Sequence, residues 1–133
     1  MKTQRNLLLF PAIVALVYGL ASVFIPRSFI TYFDIPAEMI TPGFVAWVVS
    51  TGIVSIGLSM LAFWMRSLTD ASSMKGGMTV FSIFYALFGL ETLLEPVIIP
   101  EMTLNTITVI QGIVSILLAI VFFAYREPKE ETK

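Results

Sequence analysis

Apolar residues run along this chain in four stretches of about twenty, 7–25, 44–65, 74–95 and 104–125, with short polar joints between them. At about 1.5 Å rise per residue each stretch is roughly 28 to 33 Å long as a helix, which matches a hydrocarbon core of about 30 Å. Backbone N–H and C=O groups need internal partners in lipid, and barrel strands would be about ten residues long and alternating, so the lengths select helices. The predicted fold is all-α. One integral membrane domain of four transmembrane helices takes up residues 1–126, followed by a short cytoplasmic tail, 127–133.

The joints fit these spans. Thr41 and Pro42 supply an N-cap and a first-turn proline for the second helix. Pro96 and Pro100 are expected to stop the third helix, and Pro11 to bend the first mildly. Tyr32 and Trp47 fall at one membrane interface, Trp64 and Tyr125 at the other, as an aromatic belt requires. The longest joint is 26–41. Phe29, Ile30 and Phe33 can share one face of a short helix there while Arg27, Thr31 and Asp34 face away, which suits a helix in the headgroup layer or a docking surface for a partner.

Composition removes the soluble alternative. Of the 133 residues 57% are hydrophobic and 13% charged, about half the charged fraction of a soluble domain, and the mean hydropathy is +0.91. The even number of spans puts both termini and the middle joint on one side. That side carries Lys2, Arg5, Arg66, Lys75, Arg126, Lys129 and Lys133, against Arg27 alone opposite, so the positive-inside rule predicts cytoplasmic termini. The expected location is the cytoplasmic membrane of a prokaryote. Lys2, Arg5 and the small residues Gly19-Leu20-Ala21 also fit a secretory signal, but the apolar run continues to Ile25, and retention as a helix is the expectation. A net charge of −1 gives no basic patch for nucleic acid.

A repeat emerges at an offset of sixty. Gly52-Ile53-Val54-Ser55-Ile56 recurs as Gly112-Ile113-Val114-Ser115-Ile116, flanked by Val49 with Val109, Leu58 with Leu118, Phe63 with Phe123 and Arg66 with Arg126. The first and third segments align through Val17-Tyr18-Gly19-Leu20 and Phe84-Tyr85-Ala86-Leu87. A tandem duplication of a helical hairpin would produce this, with parallel halves related by an axis along the membrane normal.

Small residues four apart mark faces where helices can approach: Ala15 with Gly19, Thr51 with Ser55 and Ser59, Thr108 with Gly112, and Ser115 with Ala119. Ser82, Ala86 and Gly89 form such a face on the third helix. Packing within the bundle, self-association and contact with another protein all use this pattern. About 200° around the wheel from those three stand Glu91 and Glu95, on the face of Phe84 and Phe88. They are the ionisable residues inside the spans and hence the default functional candidates. In one reading Glu95 sits at the interface with Glu91 roughly 6 Å deeper, in reach of headgroup water or Arg27. In a second they meet a subunit of another protein, and in a third they form a cation or proton site with Thr51, Asn105, Thr108 and Gln111. Tyr18 and Tyr85, mid-helix, are expected to satisfy their hydroxyls on neighbouring helices.

Enzyme chemistry is poorly supplied, and no catalytic role, cofactor or metal is expected. The chain has no histidine and no cysteine, which excludes His-ligated haem, common zinc sites and the usual nucleophile dyads. Asp34 and Asp70 lie in predicted loops, and Lys75-Gly76-Gly77 lacks the flanking pattern of a phosphate loop.

Tyr18-Gly19-Leu20 through Pro26, the second helix ending in Trp64-Met65-Arg66, and Phe122-Phe123-Ala124-Tyr125 resemble the small four-helix DoxX-like membrane proteins over most of the chain. The resemblance implies a fold more than an activity. Gly76 to Ser82 is similar to the third-helix motif of the small fluoride channels, but the glycine-rich first helix of that family is missing; the small multidrug exporters carry their glutamate in the first helix, which is uncharged here. The function expected is that of a non-catalytic subunit that packs against or stabilises a larger membrane assembly. The alternative is a small oligomeric transporter or channel for a proton, cation or small solute, using Glu91.

Overall fold

The computed structural model describes residues 2–98 and 106–127. These form helices α1 (Lys2–Phe24), α2 (Pro26–Tyr32), a single 3-10 turn (Ala37–Met39), α3 (Pro42–Met65), α4 (Ala71–Ile98) and α5 (Thr106–Ala124). Four of them, α1, α3, α4 and α5, are long and apolar enough to cross a membrane. Pro100, Leu104, Asn105, Lys129 and Lys133 lie outside the described residues.

Helix ends follow local chemistry. The Thr41 hydroxyl accepts a hydrogen bond from the Phe44 N–H at 3.2 Å, and Pro42 opens α3, as expected. At α4 the Asp70 carboxylate accepts from the Ser73 N–H at 2.6 Å. Hydrogen bonding to Ser73 holds the Asp70 carboxyl below its ordinary value. The cap starts α4 three residues earlier than the apolar pattern does, and Lys75-Gly76-Gly77 lie within its early turns.

The two prolines near the far ends behave differently. Ile25 leaves the helical region (φ −133°, ψ 49°), so α1 ends and Pro26 takes the first turn of α2. Pro96, expected to stop its helix, is instead inside α4, which continues to Ile98. Proline there deletes one hydrogen bond in the closing turn, where the helix has few left to lose.

Two compact units divide the chain: Arg5–Ser67, and the described residues of Met1–Gln4 with Leu68–Lys133. In the first hairpin α1 and α3 run antiparallel. Arg66 Nε donates to the Arg5 carbonyl at 2.9 Å, the buried Ser59 hydroxyl to the Ala12 carbonyl at 2.6 Å, and Gly19 lies against Gly52. These pairs step by seven residues along both helices, the repeat of a left-handed seam. Helix α2 turns its apolar face onto its own hairpin. Ile30 is buried and the Phe29 ring meets Tyr18 edge-on at 4.8 Å, while Arg27, Thr31 and Asp34 are exposed. The expected amphipathic division is present, with its apolar side occupied by the protein itself.

In the second hairpin the buried Ser82 hydroxyl donates to the Ala119 carbonyl at 2.8 Å, and Gly89 lies against Gly112. Aromatic rings fill the space beyond. Phe122, 1% exposed, stacks on Tyr85 at 5.8 Å and meets Phe81 at 5.9 Å. Gln4 closes the end of this unit, its amide donating to the carbonyls of Tyr125 and Glu127.

Candidate functional site

In both hairpins the helices meet glycine against glycine. A Cβ built on Gly19 would stand 2.7 Å from the Gly52 carbonyl oxygen, and one on Gly52 2.9 Å from the Gly19 oxygen. On Gly89 it would stand 2.8 Å from the Gly112 oxygen. Only hydrogen fits at such points, so the backbones meet directly, in reach of weak Cα–H···O contacts. The isoleucine one turn on, Ile56 or Ile116, lies over the glycine of the opposite helix in each case.

The glycine contacts relate α1 to α4 at a different offset from the tyrosine match. Gly19 takes the role of Gly89, a spacing of seventy, where the Tyr18 and Tyr85 match implies sixty-seven. At seventy the buried positions coincide: Gln4 with Met74, Leu8 with Met78, Pro11 with Phe81, Ala12 with Ser82, Gly19 with Gly89 and Ser22 with Thr92. Hydrogen bonds coincide too. Ser22 and Thr92 each donate to the carbonyl four residues back, as do Ser55 and Ser115 on the partner helices. The interhelical serine bond recurs with its direction reversed, because Ser59 faces Ala12 where Ala119 faces Ser82.

Of the packing residues named from sequence, Gly19, Ser59, Ser82, Gly89, Gly112 and Ser115 are buried, while Ala15, Thr51, Ser55 and Ala86 are half-buried. Spacing of four picks the faces and finds part of the seam. Gly52, Ala12 and Ser22 were not among those residues, although small residues seven apart (Ala12 and Gly19, Gly52 and Ser59, Ser82 and Gly89, Gly112 and Ala119) carry the signal. Gln4 had no sequence signal: a polar residue in the first turn of a span ordinarily faces water.

The carboxylates lie away from the seam. Glu91 is exposed on α4 beside exposed Leu87, Leu90 and Leu94, and Glu95 is half-buried one turn on. No ion pair or hydrogen bond joins the Glu91 carboxylate to another described residue. The positions corresponding to Glu91 and Glu95 in the first hairpin are Ala21 and Ile25, so the acidic face belongs to one hairpin alone. Thr108 and Gln111, half-buried near the start of α5, are in that same hairpin; Arg27 and Thr51 are in the other, Arg27 exposed on α2. Asn105 is outside the described residues. Among the described residues no three acidic groups gather as metal ligands do.

The interface aromatics Tyr32, Trp47, Trp64 and Tyr125 are all exposed, as a belt needs. Comparisons with protein-family models, with curated proteins and with solved structures find no match to this chain.

Proposed function

We propose that this chain is an integral membrane protein made of two copies of one helical hairpin, and that it serves as a non-catalytic subunit bound through α4 to a larger membrane assembly. The observation that carries this is Glu91, exposed on a membrane-length helix between Leu87, Leu90 and Leu94. An acidic group on a face otherwise suited to lipid is costly in hydrocarbon, and a hydrogen-bonding or cationic side chain from a neighbouring subunit offsets that cost. The small-residue seams favour the same assignment by a different route. They are used inside the hairpins, which leaves the acidic face of α4 for outside contact. Duplication is supported by the coincidence of buried positions, glycine contacts and serine bonds at offsets of seventy and sixty.

The test is native mass spectrometry of the tagged protein extracted from its own membrane in a mild detergent. Unrelated subunits at fixed stoichiometry are expected with the wild-type chain and are lost with Glu91→Ala. A wild-type chain recovered alone or only with itself would overturn the subunit reading and send Glu91 to ion-flux assays.

A further inference from the structure

We infer that the first turn of α1, residues 2–4, is a releasable strap that closes over the C-terminal end of α5 and is held there by the Gln4 amide rather than by packing. Gln4 is 3% exposed, and its Nε2 donates to two main-chain carbonyls, those of Tyr125 at 3.0 Å and Glu127 at 3.3 Å. Helix α5 ends at Ala124, so these acceptors lie where the helical ladder has run out and partners must come from elsewhere. A side chain from the opposite end of the chain supplies them.

A second tie converges on the same residue. Glu127 Oε1 lies 2.6 Å from Lys75 Nζ and 3.8 Å from Arg126 Nε, and the Arg126 guanidinium sits 3.6 Å over the Phe123 ring. Hydrogen bonding to Lys75 holds the Glu127 carboxyl below its ordinary value. Glu127 is thus gripped through its carbonyl by α1 and through its carboxylate by α4. The ion pair is exposed and adds little by itself, which leaves the closure to the buried amide. No equivalent carboxylate stands in the first hairpin: at an offset of sixty Glu127 corresponds to Ser67, whose hydroxyl turns back to the Trp64 carbonyl.

The other half of the amide makes the strap releasable. Gln4 Oε1 is buried and meets no hydrogen-bond donor among the described residues. Turning the amide over would set that oxygen against two carbonyl oxygens, so the two bonds and the orphaned acceptor come together. Closing therefore gains two bonds of modest net worth and strands one acceptor at its full desolvation cost, terms that nearly offset. Packing does not call for an amide here. At an offset of seventy the position is Met74, 0% exposed, which shows the side chain a permanent apolar contact uses. The boundary between the two compact units falls immediately after Gln4, so the strap can open while Arg5–Ser67 stays folded. The inference does not depend on the subunit role.

The chain has no cysteine, so nitroxide labels at Thr3→Cys and Ala124→Cys, both exposed positions, report on the strap by electron paramagnetic resonance of the full-length protein in mild detergent. Closely spaced labels are expected with Gln4 in place. Gln4→Met keeps the volume without the donor and should lower the closed-to-open ratio about tenfold. Gln4→Glu separates charge from size between about pH 9 and about pH 5, a range in which a buried carboxyl titrates while the lowered Glu127 stays ionised. It should be open as the carboxylate, which two carbonyls repel, and closed once protonated, when its O–H can donate. The chain with Gln4 should not respond over that range, and Lys75→Gln should open the strap less than Gln4→Met does. Close labels in Gln4→Met, or a Gln4→Glu chain indifferent to pH, would overturn the amide as the latch. Loss of helicity in Gln4→Met would overturn it too, by making the amide a support of the fold instead of a release point.

Discussion

The α1/α3 hairpin and the α4/α5 hairpin make one backbone crossing with two different fillings. Both place glycine on glycine, an isoleucine over the first glycine of the pair and a serine bond seven residues away. Beside the serine bond the first hairpin packs Ala62 and Pro11, while the second packs Phe122 and Phe81. Their connections differ as well. From Gly19 to Gly52 is thirty-three residues and from Gly89 to Gly112 twenty-three, and the ten extra belong to the joint that folds as α2 and the 3-10 turn. The lesson is that the glycine contact sets the crossing, and the volume elsewhere along the seam is free to vary as long as it is filled.

The hardest test of that statement is to exchange the fillings. Phe122→Ala removes a fully buried ring and should destabilise the second hairpin by about 3–5 kcal/mol. Its counterpart, Ala62→Phe, should overpack the first by about 1–3 kcal/mol. Unfolding in mixed micelles, followed by circular dichroism, reads both. Two neutral substitutions would mean that the seams are not tightly packed.

The glycines should discriminate next. Gly19→Ala puts a carbon against backbone that cannot move aside and should cost about 2–3 kcal/mol. Gly112→Ala meets chiefly the flexible Leu93 side chain and should cost less. Gly57, with nothing within 4 Å of its Cβ position, should accept alanine with no loss and a gain of up to about 1 kcal/mol. An equal effect at all three would remove the glycine contact as the organising feature.

Smaller still is the serine bond. Ser59→Ala and Ser82→Ala should each cost about 0.6 kcal/mol, a typical interhelical hydrogen bond in lipid, and by equal amounts despite opposite donor direction. A difference above about 1 kcal/mol would say that the hairpins use it differently.

The smallest effect is the pH response of the second hairpin's charged end. Because Glu127 is lowered in the folded state, its contribution is complete above the ordinary glutamate value and lost as pH falls through the lowered one. Acid titration of thermal stability should show this loss in the wild type and not in Glu127→Gln.

Much of the architecture is legible in the primary structure because lipid-length apolar runs permit few alternatives. The repeat of α3 in α5 is legible because five consecutive residues are identical. A likeness of α1 to α4 is less legible because burial recurs there while identity does not: Leu8 answers Met78, Pro11 answers Phe81 and Ser22 answers Thr92. The tyrosine match lies three residues out of the register of these buried positions. The candidate face of Glu91 and Glu95 follows from helical periodicity once the small residues are given to the seam. The charged ends do not, since Glu127 reads as the start of a solvated tail.

What the sequence determined by itself is therefore the number of membrane-length helices, the cap at Thr41, and which face of α4 is acidic, because length, capping chemistry and periodicity are local properties of the chain. Tertiary structure decided the seven-residue seam through Gly52 and Gly89, the passage of α4 through Pro96, and the contrast between Glu127 and Ser67 at the two hairpin ends. Those depend on which residues of one helix stand opposite which of another, a pairing that the spacing of small residues along a single helix does not fix.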